Sequence, residues 1–253
     1  MKKIIVTNSW DDNHPKNLRL LELLNKYNLK ATFYLNKNHL YKHSESEIKK
    51  IAQNQEIGAH TLTHPDLDKI SPENAWQEIK GSKDYFENIL GQQVKMFAYP
   101  RGFFNQDLKN IVAKAGFLGA RTVKTFCLEP PKDFFEFGAT LHLYPFPFRK
   151  RDARNYHLTR FLFQPLQRSF KGIIKLKLPL DSFFSWQNLA KNLFDYVYRN
   201  GGIWHLWGHG FEIEKYDMWG ELEDIFKYIS HKPEIKYLSN SEVLENENSN
   251  FIR

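Results

Sequence analysis

The residues of this chain best suited to chemistry are His60-Thr61-Leu62-Thr63-His64 and the carboxylate pair Asp11-Asp12. Two imidazoles and one carboxylate are three ligands for a divalent cation, and they leave a coordination position for water, which the cation acidifies into a nucleophile near neutral pH. That chemistry is hydrolysis. A His-x-x-x-His spacing alone is weak evidence in a chain with ten histidines among 253 residues. Asp11-Asp12, ahead of Pro15, reads in isolation as a turn or a helix N-cap. Adjacent aspartates repel, however. A cation relieves the repulsion and lets one carboxylate ligate while the other takes a proton, so the pair and the histidines explain each other.

The elements that must position these groups are short apolar runs ending in them. Ile4-Ile5-Val6 reads as a buried strand that delivers Ser9-Trp10-Asp11-Asp12 at its carboxyl end, and Glu56-Ile57-Gly58-Ala59 does the same for His60. Met96 to Gly102 ends a strand in a Pro/Gly turn, where a backbone N–H can face a developing oxyanion. Ile203 to Gly210 ends a late strand with His209 between glycines. Strands near 94–99, 117–123 and 137–144 alternate with helices expected at about 15–27, 44–54, 72–90, 105–115, 186–199 and 217–230. The capping box Ser44-x-x-Glu47 opens the second helix, and Ser71-Pro72 opens the third, which stops before Gly91. This alternation predicts a parallel α/β sheet with the candidate ligands at the carboxyl ends of strands, where α/β barrels hold their sites. Gly81, inside a helical pattern, implies close packing.

In these segments the chain resembles the polysaccharide deacetylase family, the NodB-like domains of carbohydrate esterase family 4. Ser9-Trp10-Asp11-Asp12 is similar to its first motif, His60 to His64 to its second, Phe97 to Gly102 to its third, and Leu206-Trp207-Gly208-His209 to its last. The resemblance covers residues 4 to 210 and implies a distorted, incomplete (β/α) barrel. It further implies Asp11 as general base, Asp12, His60 and His64 as metal ligands, and His209 as general acid. Two departures stand out. The motif Arg that orients the catalytic aspartate is replaced by Ala98, with Arg101 or Arg121 as candidate substitutes, and the Asp-Trp motif that steadies the catalytic histidine has no clear counterpart between Arg121 and Gly202.

Composition fits one catalytic domain over 1–253, with 42% hydrophobic residues and a tail over 240–253 expected to fray. A lone Cys127 excludes an intramolecular disulfide framework, and the chain starts at its first strand, so a cytoplasmic protein is expected. No apolar run approaches the roughly 20 residues of a membrane span. Charge is concentrated: residues 149–177 carry nine Lys or Arg and one acid, interleaved with Phe, Leu and Ile, against +7 for the whole chain. Such a segment reads as a solvated wall of the barrel, or as a contact for an anionic membrane surface or a phosphorylated substrate. Nucleic-acid binding is not expected, because no binding motif is present.

The leading expectation is a metal-dependent hydrolase of non-peptide C–N bonds that deacetylates an N-acetylated carbohydrate. Its cofactor would be a divalent metal, zinc before other transition metals. Tyr99 and Trp207 are candidates to stack on a sugar ring. Two other readings fit the residues: a cyclic imide or ureide hydrolase on the same fold, and a non-catalytic glycan- or membrane-binding relative. The presence of Asp11 and His209 beside all three candidate ligands argues against the second.

Overall fold

β1 (Ile4–Asp11) is buried along its whole length, as its β-branched start predicts, and the rest of the sheet is organised around it. The computed structural model describes residues 2–38, 40–148 and 163–251. On one side β1 pairs from end to end with β7 (Gly202–His209), and it pairs with β2 (Thr32–Leu35) through its carboxyl half and β8 (Ile235–Tyr237) through its amino half. β3 (Glu56–Ala59), β4 (Met96–Ala98) and β5 (Gly119–Arg121) continue beyond β2, and β6 (Leu141–His142) lies beyond β7. All these pairings are parallel. The order β5-β4-β3-β2-β1-β7-β6 curls until Phe137 makes one bridge to Arg121, which gives a distorted, incomplete (β/α) barrel. The strand expected over 137–144 is therefore divided. Phe137 serves β5, and only Leu141–His142 joins β7.

The helices are α1 (Asn17–Lys26), α2 (Glu45–Ala52), α3 (Pro72–Leu90), α4 (Gln106–Lys114), α5 (Gln164–Lys175), α6 (Trp186–Asn200), α7 (Gly210–Lys215), α8 (Trp219–Ile229) and α9 (Asn240–Phe251). Ser44 caps α2 in a full capping box, Ser71 accepts from Asn74 N–H at the start of α3, and Gly91 ends α3 in a left-handed conformation. The helix expected over 217–230 begins at Trp219, because Asp217, with φ of 53°, separates it from α7. Leu20, Leu24, Ile79, Leu193 and Phe226 pack with the outward residues of the sheet, such as Phe33, Phe97 and Trp204.

Alternation along the strands turns the other set of side chains inward. Ile5, Tyr34, Met96, Ala98, Phe137 and Ile203 form an interior cluster with Val243 and Leu244 of α9. The fraying expected over 240–253 does not hold at its start, over 240–247, while 252 and 253 lie outside the described residues. Two apolar side chains with no exposure seat α9 in the barrel floor, and buried Asn240 bonds Tyr34 Oη and Thr7 Oγ1. Gly119 makes room for this: a Cβ there would lie 2.4 Å from Leu244 Cδ1 and 2.5 Å from the Phe134 carbonyl oxygen. Leu244→Ala is expected to lower unfolding free energy by about 2–5 kcal/mol, read from urea denaturation. A loose tail would instead give a change within about 0.5 kcal/mol.

Candidate active site

The in-register parallel sheet brings the chemistry to one end. Asp11 lies opposite His209 across β1–β7 and opposite Tyr34 across β1–β2; Leu35 pairs with Ala59, the residue before His60, and Ala98 pairs with Arg121. Asp12, His60 and His64 come together with one ligand atom of each within 4.8 Å of the others. His60 Nδ1 is 2.8 Å from the Ala98 carbonyl oxygen, which can only accept, so Nδ1 carries the proton and Nε2 keeps its lone pair. Burial, above all, lowers the His60 pKa to about 4, so the ring is neutral at pH 7, as a ligand must be. Asp12 Oδ1 accepts from Asn36 Nδ2 at 3.0 Å. Two imidazole nitrogens and one carboxylate, held in place by neighbours, fit a zinc-type divalent ion.

The loop carrying the histidines is fastened from α3. Glu78 accepts from the N–H groups of Leu62 and Thr63 at 2.8 and 2.9 Å and from Thr63 Oγ1 at 2.7 Å. Leu62 packs over Gly81, where a Cβ would approach Leu62 Cδ1 to 2.9 Å, so the helical glycine has the close-packing role its position implies. Asp12, Thr61, His64 and Arg101 all have positive φ, between 56° and 68°. Left-handed non-glycine residues are costly and persist where surrounding structure dictates them, often at functional sites.

Asp11 is buried and ion-paired with Arg121, which has no exposed surface. Burial pushes the Asp11 carboxyl up, but Arg121 and then His60 and His209 outweigh it, and the group ends below its ordinary value. Arg101, the other candidate cation, sends its side chain 2.7 Å to Asp66 instead. Beneath the pair, His205 Nδ1 lies 2.9 Å from the Gly138 carbonyl oxygen and Nε2 lies 2.8 Å from Ser9 Oγ. Burial pushes its pKa down to about 3, leaving a neutral histidine that adds no charge below Arg121.

His209 Nε2 is 4.0 Å from Asp11 Oδ2, and its other nitrogen, Nδ1, lies 2.6 Å from Glu212 Oε2. Burial lowers the His209 pKa, but the Glu212 carboxylate outweighs it and the net value is about 9. Glu212 is held well below the usual carboxylate range: burial raises it, and His209 and His142 outweigh that. His142 Nε2 reaches the same Oε2 at 3.0 Å. Tetrahedral zinc ligands stand about 3.3 Å apart, so these two short contacts to one oxygen describe a hydrogen-bonded hub rather than a second metal set. Neither Glu212 nor His142 was anticipated from the sequence. The signal available was the i, i+3 spacing of His209 and Glu212 across a helix start.

These groups line a cleft of about 920 Å³, which also takes in Arg101, Trp207, Trp186, Tyr144 and residues of α5. Trp207 lines it while stacked on His142 with centroids 4.0 Å apart. Tyr99, proposed beside it, is corrected to a core residue. It is fully buried, donates to the Phe135 carbonyl at 3.2 Å and stacks on Phe104, because the strand turns its ring to the helix side.

Residues 1–120 match the family model described as polysaccharide deacetylase. Over this stretch, just under half of the chain, the sequence is similar to the polysaccharide deacetylase family. It is 31% identical over 121 residues to YxkH of Bacillus subtilis (strain 168), provisionally named a polysaccharide deacetylase, covering 46% of this chain and 43% of that one. It is 27% identical over 110 residues to the peptidoglycan-N-acetylmuramic acid deacetylase PdaC of the same organism, covering 43% of this chain and 24% of that one. The match thus spans less than half the length of these relatives. A Mycobacterium smegmatis structure, also provisionally named a polysaccharide deacetylase, aligns over 99% of this chain and 92% of its own with a TM-score of 0.67 at 16% identity. That likeness carries the family's fold past residue 120 to the strand bearing His209.

Among the described residues no helix is long and apolar enough to cross a membrane. Of the basic segment 149–177, residues 149–162 lie outside the described residues, and Arg168, Lys171, Lys175 and Lys177 are exposed.

Proposed function

We propose that this protein is a metal-dependent hydrolase that removes the acetyl group from an N-acetylated carbohydrate. The observation that carries the reading is the convergence of Asp12, His60 and His64 in one cleft with Asp11, paired to Arg121, and His209, bonded to Glu212. Asp12, His60 and His64 would hold a divalent cation, zinc by the donor set, whose charge would acidify water and polarise the acyl carbonyl. Asp11, ionised and oriented by Arg121, takes the proton of the attacking water. The Arg101 backbone, in its left-handed turn at the cleft, offers an N–H to the oxyanion as the carbonyl carbon becomes tetrahedral. His209 then donates its Nε2 proton to the leaving nitrogen as the C–N bond breaks, releasing acetate and the amine. Glu212 positions His209 and keeps it charged until that step. Trp207 lines the cleft but is buried, with His142 stacked on its ring, so it shapes the wall the sugar would meet rather than offering a free face for stacking.

The names of the relatives support an acetylated glycan as the substrate class, and the two histidines on Glu212 support amide cleavage, which needs a proton on nitrogen before it leaves. The test is acetate release from N-acetylglucosamine oligomers by zinc-loaded protein across pH. Wild type should release acetate, with a falling alkaline limb as His209 deprotonates. Glu212→Gln should move that limb to lower pH by about one unit or more, since it removes the charge that raises His209. Release unaffected by the substitution at every pH would remove Glu212 from the account.

A further inference from the structure

We infer that the cleft contains an anion subsite at α5, in which Arg168 binds a phosphate or carboxylate group carried by the substrate at a distance from the acetyl group. The inference rests on the deacetylase reading for the identity of the substrate, and on the following charge pattern for the site itself. Arg168 lines the same cleft as Asp11 and His209. Every other charged side chain along that lining has an opposite charge or a ligand role. Asp11 has Arg121, Arg101 has Asp66 at 2.7 Å, Lys124 has Glu136 at 2.7 Å, Glu212 has His209, and Asp12 belongs to the metal set. Among the described residues Arg168 alone of the lining cations has no carboxylate against it.

A cation with no carboxylate against it among the described residues, at the wall of an open cleft, is an available donor. The guanidinium is planar, always charged and shaped for two parallel bonds to phosphate or carboxylate oxygens. Ser169 and Thr125 line the same cleft and add hydroxyls that can donate to an anion. Size agrees with this placement. At about 920 Å³ the cleft lies near the top of the usual range for ligand sites, so it has room beyond the sugar that carries the acetyl group. The preferred substrate is accordingly an acidic or phosphorylated N-acetyl sugar, with a neutral one turned over less efficiently. The anion can belong to a soluble sugar phosphate or to a lipid headgroup, and both would meet the same guanidinium.

The test compares N-acetylglucosamine 1-phosphate with N-acetylglucosamine in low salt, for wild type, Arg168→Gln and Arg168→Glu. The wild-type ratio of kcat/KM, phosphorylated over neutral, should be about tenfold, should shrink as salt screens the charge, and should fall to about one in Arg168→Gln and below one in Arg168→Glu. Binding is read separately from catalysis by titrating glucosamine 1-phosphate and glucosamine against tryptophan fluorescence, since Trp186 and Trp207 line the cleft. A fluorescence preference for the phosphate that disappears in both variants, without acetate release from any substrate, would keep the subsite and refute the deacetylase reading. Acetate release with a ratio that the variants do not change would refute the subsite and keep the deacetylase. Phosphatidylglycerol vesicles that sediment wild type but not Arg168→Glu, with no preference for the soluble sugar phosphate, would assign the anion to a lipid headgroup. No preference in either soluble assay and no vesicle binding would overturn the proposal.

Discussion

Asp11→Asn should lower the rate of acetate release by about a hundredfold or more, the usual scale for loss of a general base, while leaving metal content near that of wild type. The separation of the two effects follows from the geometry. Asp11 sits between Arg121 and the rings of His60 and His209, whereas Asp12 shares the ligand set and is fixed by Asn36. Asn cannot accept the water's proton, but it preserves the volume of a fully packed position. It also leaves the Arg121 charge buried without its partner, so the variant should unfold more easily, and activity is to be measured well below its transition. Metal mass spectrometry on the same preparation decides the matter. A variant that has lost its ion would give Asp11 the ligand role and Asp12 the catalytic one.

Arg121→Ala should have the largest effect on stability, lowering it by about 3–5 kcal/mol at pH 7, the scale for breaking a buried ion pair from one side. The sign of its pH dependence follows from Asp11. A carboxylate whose folded pKa lies below its unfolded value adds stability above the unfolded value, and that contribution is lost as pH falls through the folded one. Without Arg121 the burial penalty on Asp11 is no longer offset, so its pKa rises above the ordinary value. The gap between variant and wild type should therefore be full near neutrality and narrow under acid conditions. The acidic limb of the rate profile should move to higher pH for the same reason. Urea midpoints at a series of pH values and the rate profile test both statements, and an acidic limb that does not move would detach Arg121 from the reacting carboxylate.

The strand ends were legible in the sequence because in each case a short buried apolar run stops at a polar group that has no place in a core. Ile4 to Val6 leads to Asp11, and Glu56 to Ala59 leads to His60. Ser44 and Ser71 marked their helix starts because a hydroxyl before an amphipathic run has one favourable use, to satisfy free backbone N–H groups. Choosing between Arg101 and Arg121 required three dimensions. Both follow apolar strands, and only the inward turn of β5 and the pairing of Ala98 with Arg121 place the latter against Asp11. Tyr99 failed as a substrate contact for a related reason. One residue of register separates a side chain facing the cleft from one facing the helices.

Other features depended on contacts remote in sequence. Glu212 is not legible because the resemblance places a carboxylate for the catalytic histidine before β7, whereas the carboxylate that touches His209 follows β7 at the start of α7, with His142 joining from β6. Asn, Ser and Glu make the last residues look like a solvated tail, yet Val243 and Leu244, with buried Asn240, anchor α9, because the absent side chain of Gly119 leaves room for Leu244 in the barrel floor. Local polarity cannot report a cavity made by other strands. The basic character of 149–177 was plain in the sequence, but the wall it shares with the cleft through Arg168 was not, because that depends on where α5 packs.

The measurement that tests the central claim most directly is the metal content of purified wild type and of His60→Ala, by mass spectrometry after dialysis against zinc, with acetate release followed on the same samples. The wild type should hold about one divalent ion per chain and release acetate, and His60→Ala should lose both together, because two remaining ligands rarely retain zinc. An equal ion content in the two proteins, or acetate release by wild type stripped of metal, would contradict the assignment of Asp12, His60 and His64 as the centre on which the hydrolysis depends.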